Sequence, residues 1–518
     1  MTRSPKERGR EEGHGREEGH GGELIGVVSG GSLNLLGNAV SQVLRFAMVV
    51  MLARLLDTAQ VGLYFQAFAF LAILGLLSLS GFQSALTRFV AVFRVDEDHA
   101  SLRGTLRLGL GLPTVSAVAL GAVLFAVSSR LAEEVFHDPR LASPLRFVAV
   151  ALPATVLTDA ALSATRGFKT MRPYALVGLI FEPASRLLLT WVLVAVGFGL
   201  RGAMLGLVAT NVAAACLAVL AIRRLAGPSM APPRYRWRRL FSFSTVSWVS
   251  TLASTGLLWA DTILLGIYGS ASDVAIYQVA TRLTLLVMIF MHSLNASFAP
   301  RIADLYRSGQ RDSLRKLYSL VTSWIVRLSL PAVVLIMVFP RELLSIFGKE
   351  FTAGASITVL LAVGTLFDVV SGPCGHMLVM SGRPALTMAN NLCGLALNIG
   401  LNIWLIPRFG LVGAGIAWAA SLALINVSRL AQVWFTMGML PFDRGLVKGV
   451  IAATVAAIVA LVVQRAGGNG LSTLAVGALS IGAVYGGMIF LLGVDADDRL
   501  VWRTLRRRLS GAGPAEAA

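Results

Sequence analysis

The chain has 518 residues, 56% of them hydrophobic and only 14% charged, with a formal charge of +18. Soluble domains carry roughly 25% charged residues, so a water-soluble enzyme of this composition would expose large apolar patches and is excluded. The basic excess would point to nucleic acid in a soluble protein. Here it lies mainly in short segments between apolar runs, where the preference of Lys and Arg for cytoplasmic loops accounts for it.

The first 22 residues repeat Arg-Glu-Glu-Gly-His-Gly at 10–15 and 16–21. They have no apolar stretch before a cleavage site and read as a disordered cytoplasmic tail. A membrane-spanning helix needs about 20 apolar residues. Fourteen runs meet that need: 25–53, 61–87, 104–128, 144–165, 174–197, 201–222, 241–267, 274–299, 318–339, 355–380, 385–406, 410–435, 446–464 and 471–492. They are too long for strands, and a β-barrel would show alternating ten-residue segments instead. The expected fold class is an all-α polytopic membrane protein of about 14 transmembrane helices.

Lys and Arg concentrate after the even-numbered runs, most densely in 223–239 with Arg223, Arg224, Arg234, Arg236, Arg238 and Arg239. Both termini are therefore expected in the cytoplasm. Cys216, Cys374 and Cys393 lie inside apolar runs without ligand spacing and read as small hydrophobes.

An internal repeat organises the runs. Arg172-Pro173 recurs as Arg383-Pro384, Phe198-Gly199-Leu200 as Phe409-Gly410-Leu411, and Gly202-Ala203 as Gly413-Ala414, all 211 positions apart. Val61-Gly62-Leu63-Tyr64 with Ala67 resembles Val274-Ala275-Ile276-Tyr277 with Ala280. Two pseudo-repeated six-helix lobes follow, with two C-terminal helices outside the repeat. An even helix number gives both lobes the same orientation, a parallel repeat that commonly holds a cavity between the halves near the midplane. The expected domains are a tail 1–22, an N-terminal lobe 23–224, a basic linker 225–240, a C-terminal lobe 241–437, two helices in 438–495 and a basic cytoplasmic tail 496–518. The glycines let helices approach closely in lipid, and each Arg-Pro opens a helix.

Ala53-Arg54-Leu55-Leu56 before Val61-Gly62-Leu63-Tyr64, Leu86-Thr87-Arg88-Phe89-Val90, Ala260-Asp261-Thr262-Ile263-Leu264-Leu265-Gly266 and Tyr277-Gln278-Val279-Ala280 carry a family likeness. In order and spacing they resemble the oligosaccharide flippase (Wzx-like polysaccharide transporter) family, across roughly residues 24–490. The superfamily also holds multidrug exporters and lipid II flippases. The resemblance implies alternating access and a polyprenyl-pyrophosphate-linked oligosaccharide as substrate, moved across the bacterial cytoplasmic membrane. It further implies Na+ or H+ as candidate coupling ion, membrane lipids around the chain, polysaccharide polymerase machinery as a candidate partner, and no cofactor. An ion-coupled multidrug exporter and a lipid II flippase are the alternatives.

Ionisable groups inside spans are costly and stand as functional candidates. Arg45, Arg186, Arg282 and Arg327 suit phosphate or acidic sugars, because guanidinium pairs bidentately with both. With the amides Asn34, Asn38, Asn391, Asn398 and Asn402 they are the candidate cavity residues; the amides equally suit helix–helix bonding. Asp261, Asp368, Glu182 and Asp159 are the candidates for ion coupling or gating. Glu182 and Arg186 are four apart and can simply neutralise each other; Asp261 and Arg282 can form a structural pair. His292 and His376 read as packed side chains. No phosphate-binding Gly-Lys-Ser/Thr loop, His-Glu-x-x-His motif or metal-ligand cluster occurs, and no catalytic residue is assigned.

Overall fold

The computed structural model describes residues 36–227, 232–468 and 470–492. Asn34, the tail 1–22, the tail from 496 and the side chain of His292 lie outside the described residues. All regular structure among the described residues is helical. In lipid this follows from the backbone: without water, each N–H and C=O must bond within its own segment.

Twelve helical stretches are long and apolar enough to cross a bilayer, two fewer than the runs in the sequence. The difference lies in Tyr174–Ala226, of 53 residues, and Pro384–Met437, of 54. At 1.5 Å per residue each would be about 80 Å long, against a hydrocarbon core of about 30 Å. Each instead folds back at a repeated glycine. Gly199 has φ 50° and ψ −134°, and Gly410 has φ 54° and ψ −131°, a region only glycine occupies at low cost. The 211-residue repeat is thus repeated in backbone angle. Three residues on, a Cβ at Gly202 would meet the Leu193 carbonyl at 3.0 Å, and one at Gly413 would meet the Leu405 oxygen at 2.5 Å. The paired glycines hold the two arms of each hairpin in backbone contact, where packing rather than hydrophobic drive binds helices.

Two other expected runs are broken. The run 61–87 divides at Ser80 and Gly81, both with positive φ, because a Cβ on Gly81 would strike the Ser244 carbonyl. The run 355–380 divides at Gly372, φ 59°, where a Cβ would strike Thr322. Proline after Gly372 removes a further helical donor.

The chain separates into two compact units, up to Ala275 and from Ile276 on. The division falls one helix later than the basic segment 225–240 expected to link the lobes. The first unit holds α1 (Leu36–Leu55), α2 (Thr58–Leu79), α3 (Phe82–Val95), α4 (His99–Arg130), α5 (Ala142–Gly167), α6 (Glu182–Leu193), α7 (Gly199–Ala226) and α8 (Trp237–Tyr268). At its centre α5 packs on α2, α3, α4 and α7 through Leu145, Val148, Leu152 and Val156, all fully buried. Helix α8 packs on α2 and α3. Its lead-in crosses the start of α4. There Arg234 N–H donates to the Ala100 carbonyl at 2.9 Å, and Arg236 donates to Ser101 Oγ at 2.9 Å and to Asp98 at 3.4 Å. Asp98 caps α4 through Ser101 N–H. Bonds from Ser101, and then the Arg236 charge, hold its carboxyl below the usual range.

Helix α9 (Ala271–Arg307) carries the chain into the second unit, with α10 (Arg311–Val338), α11 (Pro340–Ser345), α12 (Ala355–Ser371), α13 (Cys374–Met380), α14 (Pro384–Met437), α15 (Arg444–Gly467) and α16 (Leu471–Leu491). Here α10 is central. It meets α12 on one side and the two C-terminal helices on the other, around Ile325, Val326, Ala452, Ala456 and Ile481.

Candidate functional site

Glu182 and Arg186 stand one turn apart on α6, and so share a face. Arg186 Nη2 donates to Glu182 Oε1 at 2.6 Å and to Asn211 Oδ1 of α7 at 2.9 Å. Asn211 Nδ2 in turn donates to Thr155 Oγ1 of α5 at 2.9 Å. Three helices are joined by this chain, and the guanidinium also lies over the Phe68 ring of α2, 5.6 Å from its centroid. Arg186 Nε is buried without a partner among the described residues. The orphaned N–H leaves one donor of the guanidinium uncommitted.

Glu182, Arg186 and Asp159 open onto one cavity of about 250 Å³. Gln83 of α3, Thr155 of α5, and Thr251 and Thr255 of α8 complete its polar wall; Phe68, Leu71 and Leu76 of α2 supply the apolar one. The Arg45 and Arg166 charges reach Asp159 as well as that of Glu182. Arg186 precedes Phe198 by twelve residues, and Asn211 follows Gly199 by twelve. At 1.5 Å per residue both lie about 18 Å from the hairpin turn, close to the middle of a 30 Å core. Asp159, not bonded to Arg186, lines the cavity beside the Glu182–Arg186 pair, so the cavity offers a carboxylate to a cation or proton. Its donors and hydroxyls can also hold an anionic or hydroxylated group.

The other candidates are dispersed. On α1, Asn38 and Arg45 are exposed, and Arg45 Nε donates to Ser41 Oγ at 3.1 Å on its own helix. Asp261 is fully buried on α8. Arg282, of the second unit, donates to Gln278 Oε1 at 3.4 Å. Arg327 donates to Ser323 Oγ, and its carbonyl accepts from Tyr485 of α16, so it sits where the C-terminal helices pack. Asp368 accepts from Asn426, whose Oδ1 accepts from Ser371. Asn398 and Asn402 are fully buried, and Asn402 Nδ2 bonds the Asn398 carbonyl at 2.8 Å. Asn391 accepts from Arg429 of the opposite arm at 2.7 Å. His376 is half-buried on α13.

Asn211, Thr155, Asn426 and Arg429 were not singled out from the sequence. An arginine and an asparagine cross each hairpin, but Arg186 is on the first arm and Arg429 on the second. The repeat therefore offered no positional rule for finding the partners.

A helical hairpin that recurs 211 residues on, with a polar cavity beside its first copy, fits one class: polytopic proteins with the transporter fold of the MOP superfamily. The structure aligns with the lipid II flippase MurJ in an inward closed conformation, with a TM-score of 0.70, 13% identity, and coverage of 91% of this chain and 99% of that one. It aligns with an inward-facing multidrug resistance MATE family transporter of the MOP superfamily at 0.61 and 15% identity, covering 80% and 95%. More specifically, the chain belongs to the polysaccharide biosynthesis protein family, whose sequence profile matches residues 27–306; a MatE profile matches residues 247–404. Over 391 residues the chain is 26% identical to the probable low-salt glycan biosynthesis flippase Agl15 of Haloferax volcanii, covering 74% of this chain and 78% of the relative.

Proposed function

We propose that the protein is a flippase that moves a polyprenyl-pyrophosphate-linked oligosaccharide across the cytoplasmic membrane by alternating access, for the synthesis of a surface polysaccharide. The observation that carries this reading is the mid-depth cavity of Asp159, Glu182 and Arg186 in a chain of the polysaccharide biosynthesis family. A pyrophosphate or acidic sugar needs bidentate donors within a low-dielectric interior. Sugar hydroxyls need amides and hydroxyls, which Gln83, Thr155 and Thr251 supply. Asp159 provides a carboxyl group through which Na+ or H+ drives the cycle. Both termini face the cytoplasm in this reading.

The cavity carboxylates and the MatE match favour one second reading, an ion-coupled exporter of small cations. Purified protein in proteoliposomes separates the two. Transbilayer movement of a fluorescent polyprenyl-pyrophosphate oligosaccharide, lost in Arg186→Ala, is the expected result. Absence of that movement, with gradient-driven efflux of a cationic dye in its place, would establish the exporter.

A further inference from the structure

We propose that the basic end of the first unit carries a binding site for the phosphate headgroup of an anionic lipid, formed by Arg103 and Arg107 of α4 and Arg223 of α7. This site is separate from the mid-depth cavity and does not depend on what the protein transports. A cavity of about 640 Å³ opens between the two helices and is lined by these arginines together with Leu106, Leu110 and Ile222. Arg103, Leu106, Arg107 and Leu110 share one face of α4 by their spacing of three and four. Arg107 and Arg223 are exposed. Among the described residues neither forms an ion pair with a carboxylate. Asp98, the acid that caps α4, is already bonded by Ser101 and Arg236.

The lead-in to α8 fixes the start of α4 from another face. The backbone of Arg234 lies so close to Gly104 that a Cβ there would meet its carbonyl oxygen at 2.1 Å. This contact leaves the face of Arg103 and Arg107 to the cavity. Leu110 lies seven residues farther into the helix than Arg103, about 10 Å deeper. The cavity therefore has a cationic mouth and an apolar floor. A soluble phosphate has use only for the mouth; a lipid uses both, its phosphate on the guanidiniums and the start of its chains against the leucines and Ile222.

Native mass spectrometry of the full chain in detergent, titrated in turn with phosphatidylglycerol, phosphatidylcholine and inorganic pyrophosphate, tests this. R103Q/R107Q/R223Q is expected to bind its first phosphatidylglycerol about a hundredfold more weakly than the unaltered protein, with phosphatidylcholine unchanged. R311Q/R315Q/K316Q removes three exposed cations from the start of α10 and is expected to keep the tight lipid. R107Q/R223Q, which alters only two exposed side chains, is expected to lose roughly thirtyfold and guards against misfolding of the triple variant. Equal weakening by both triple variants, or none in R107Q/R223Q, would mean that general surface charge attracts the lipid, and would overturn the site. Tight pyrophosphate binding lost in the same variants, without preference for phosphatidylglycerol over phosphatidylcholine, would make it a soluble-phosphate site and overturn the lipid assignment.

Discussion

Arg186 connects α5, α6 and α7, so its removal acts on stability and on the cavity through different routes. Without the guanidinium, Glu182 keeps a charge in a largely apolar interior and Asn211 loses its donor. Arg186→Ala is expected to lower stability by about 2 kcal/mol and to abolish transport. Adding Glu182→Gln removes the stranded charge, so the double variant should recover most of its melting temperature in detergent but none of its transport. Recovery of both would mean the pair serves packing alone. Half of this network was legible in the sequence. Glu182 and Arg186 announce themselves by charge and by a four-residue spacing, whereas Asn211 and Thr155 look like ordinary polar residues until α7 and α5 are brought against α6. A second residue-scale prediction concerns Asp138, between α4 and α5. Its carboxylate accepts from Arg140 Nε and Nη2, both at 2.9 Å, and from Arg140 N–H. The Arg140 side chain, above all, holds its pKa below the usual value. The stability it adds is therefore complete above the unfolded value near 4 and is lost as pH falls through the lower folded value. Melting curves between pH 6 and pH 3 should show an acid-side loss in the unaltered protein that is smaller in Asp138→Asn.

At the level of the helix, glycines decide where apolar runs turn. Hydropathy marks residues 174–222 and 385–435 as membrane-embedded, but the turn depends on Gly199 and Gly410, which alone among common residues accept their backbone angles. The repeat made these glycines visible, because they recur in order 211 residues apart. Nothing in the periodicity marked the breaks at Gly81 and Gly372; those depend on Ser244 and Thr322 approaching from other helices. A paired test separates backbone strain from crowding. A Cβ at Gly410 would meet nothing within 4 Å, and the same holds at Gly400. Gly410→Ala meets positive φ and is expected to destabilise by about 2 kcal/mol. Gly400→Ala, inside a regular part of α14, is expected to be neutral or to stabilise by up to about 1 kcal/mol. Opposite shifts in melting temperature at two equally uncrowded sites would identify the turn as the cause; parallel shifts would refute it.

For the molecule as a whole, the orientation in the membrane is set by charge, because moving a loop across lipid costs most where it carries Lys and Arg. The turn between α9 and α10 lies amid Arg301, Arg307, Arg311, Arg315 and Lys316, whereas the connection from α4 to α5 has one Lys or Arg, Arg140, beside Glu133, Glu134 and Asp138. Ser308 in the first and Glu134 in the second are both exposed, so a cysteine at either site is open to a reagent in the adjoining water. The chain's own thiols would obscure the readout, since Cys216 and Cys393 are exposed and only Cys374 is buried; all three are replaced by alanine first. In that background Ser308→Cys should react with a membrane-impermeant maleimide only in everted vesicles, and Glu134→Cys only in intact cells. The same placement would put Arg103, Arg107 and Arg223 at the inner leaflet, where anionic headgroups attract basic segments. Labelling of Ser308→Cys in intact cells would invert the chain. It would also move those arginines to the outer surface, so the lipid site would have to be sought among the lipids of the opposite leaflet.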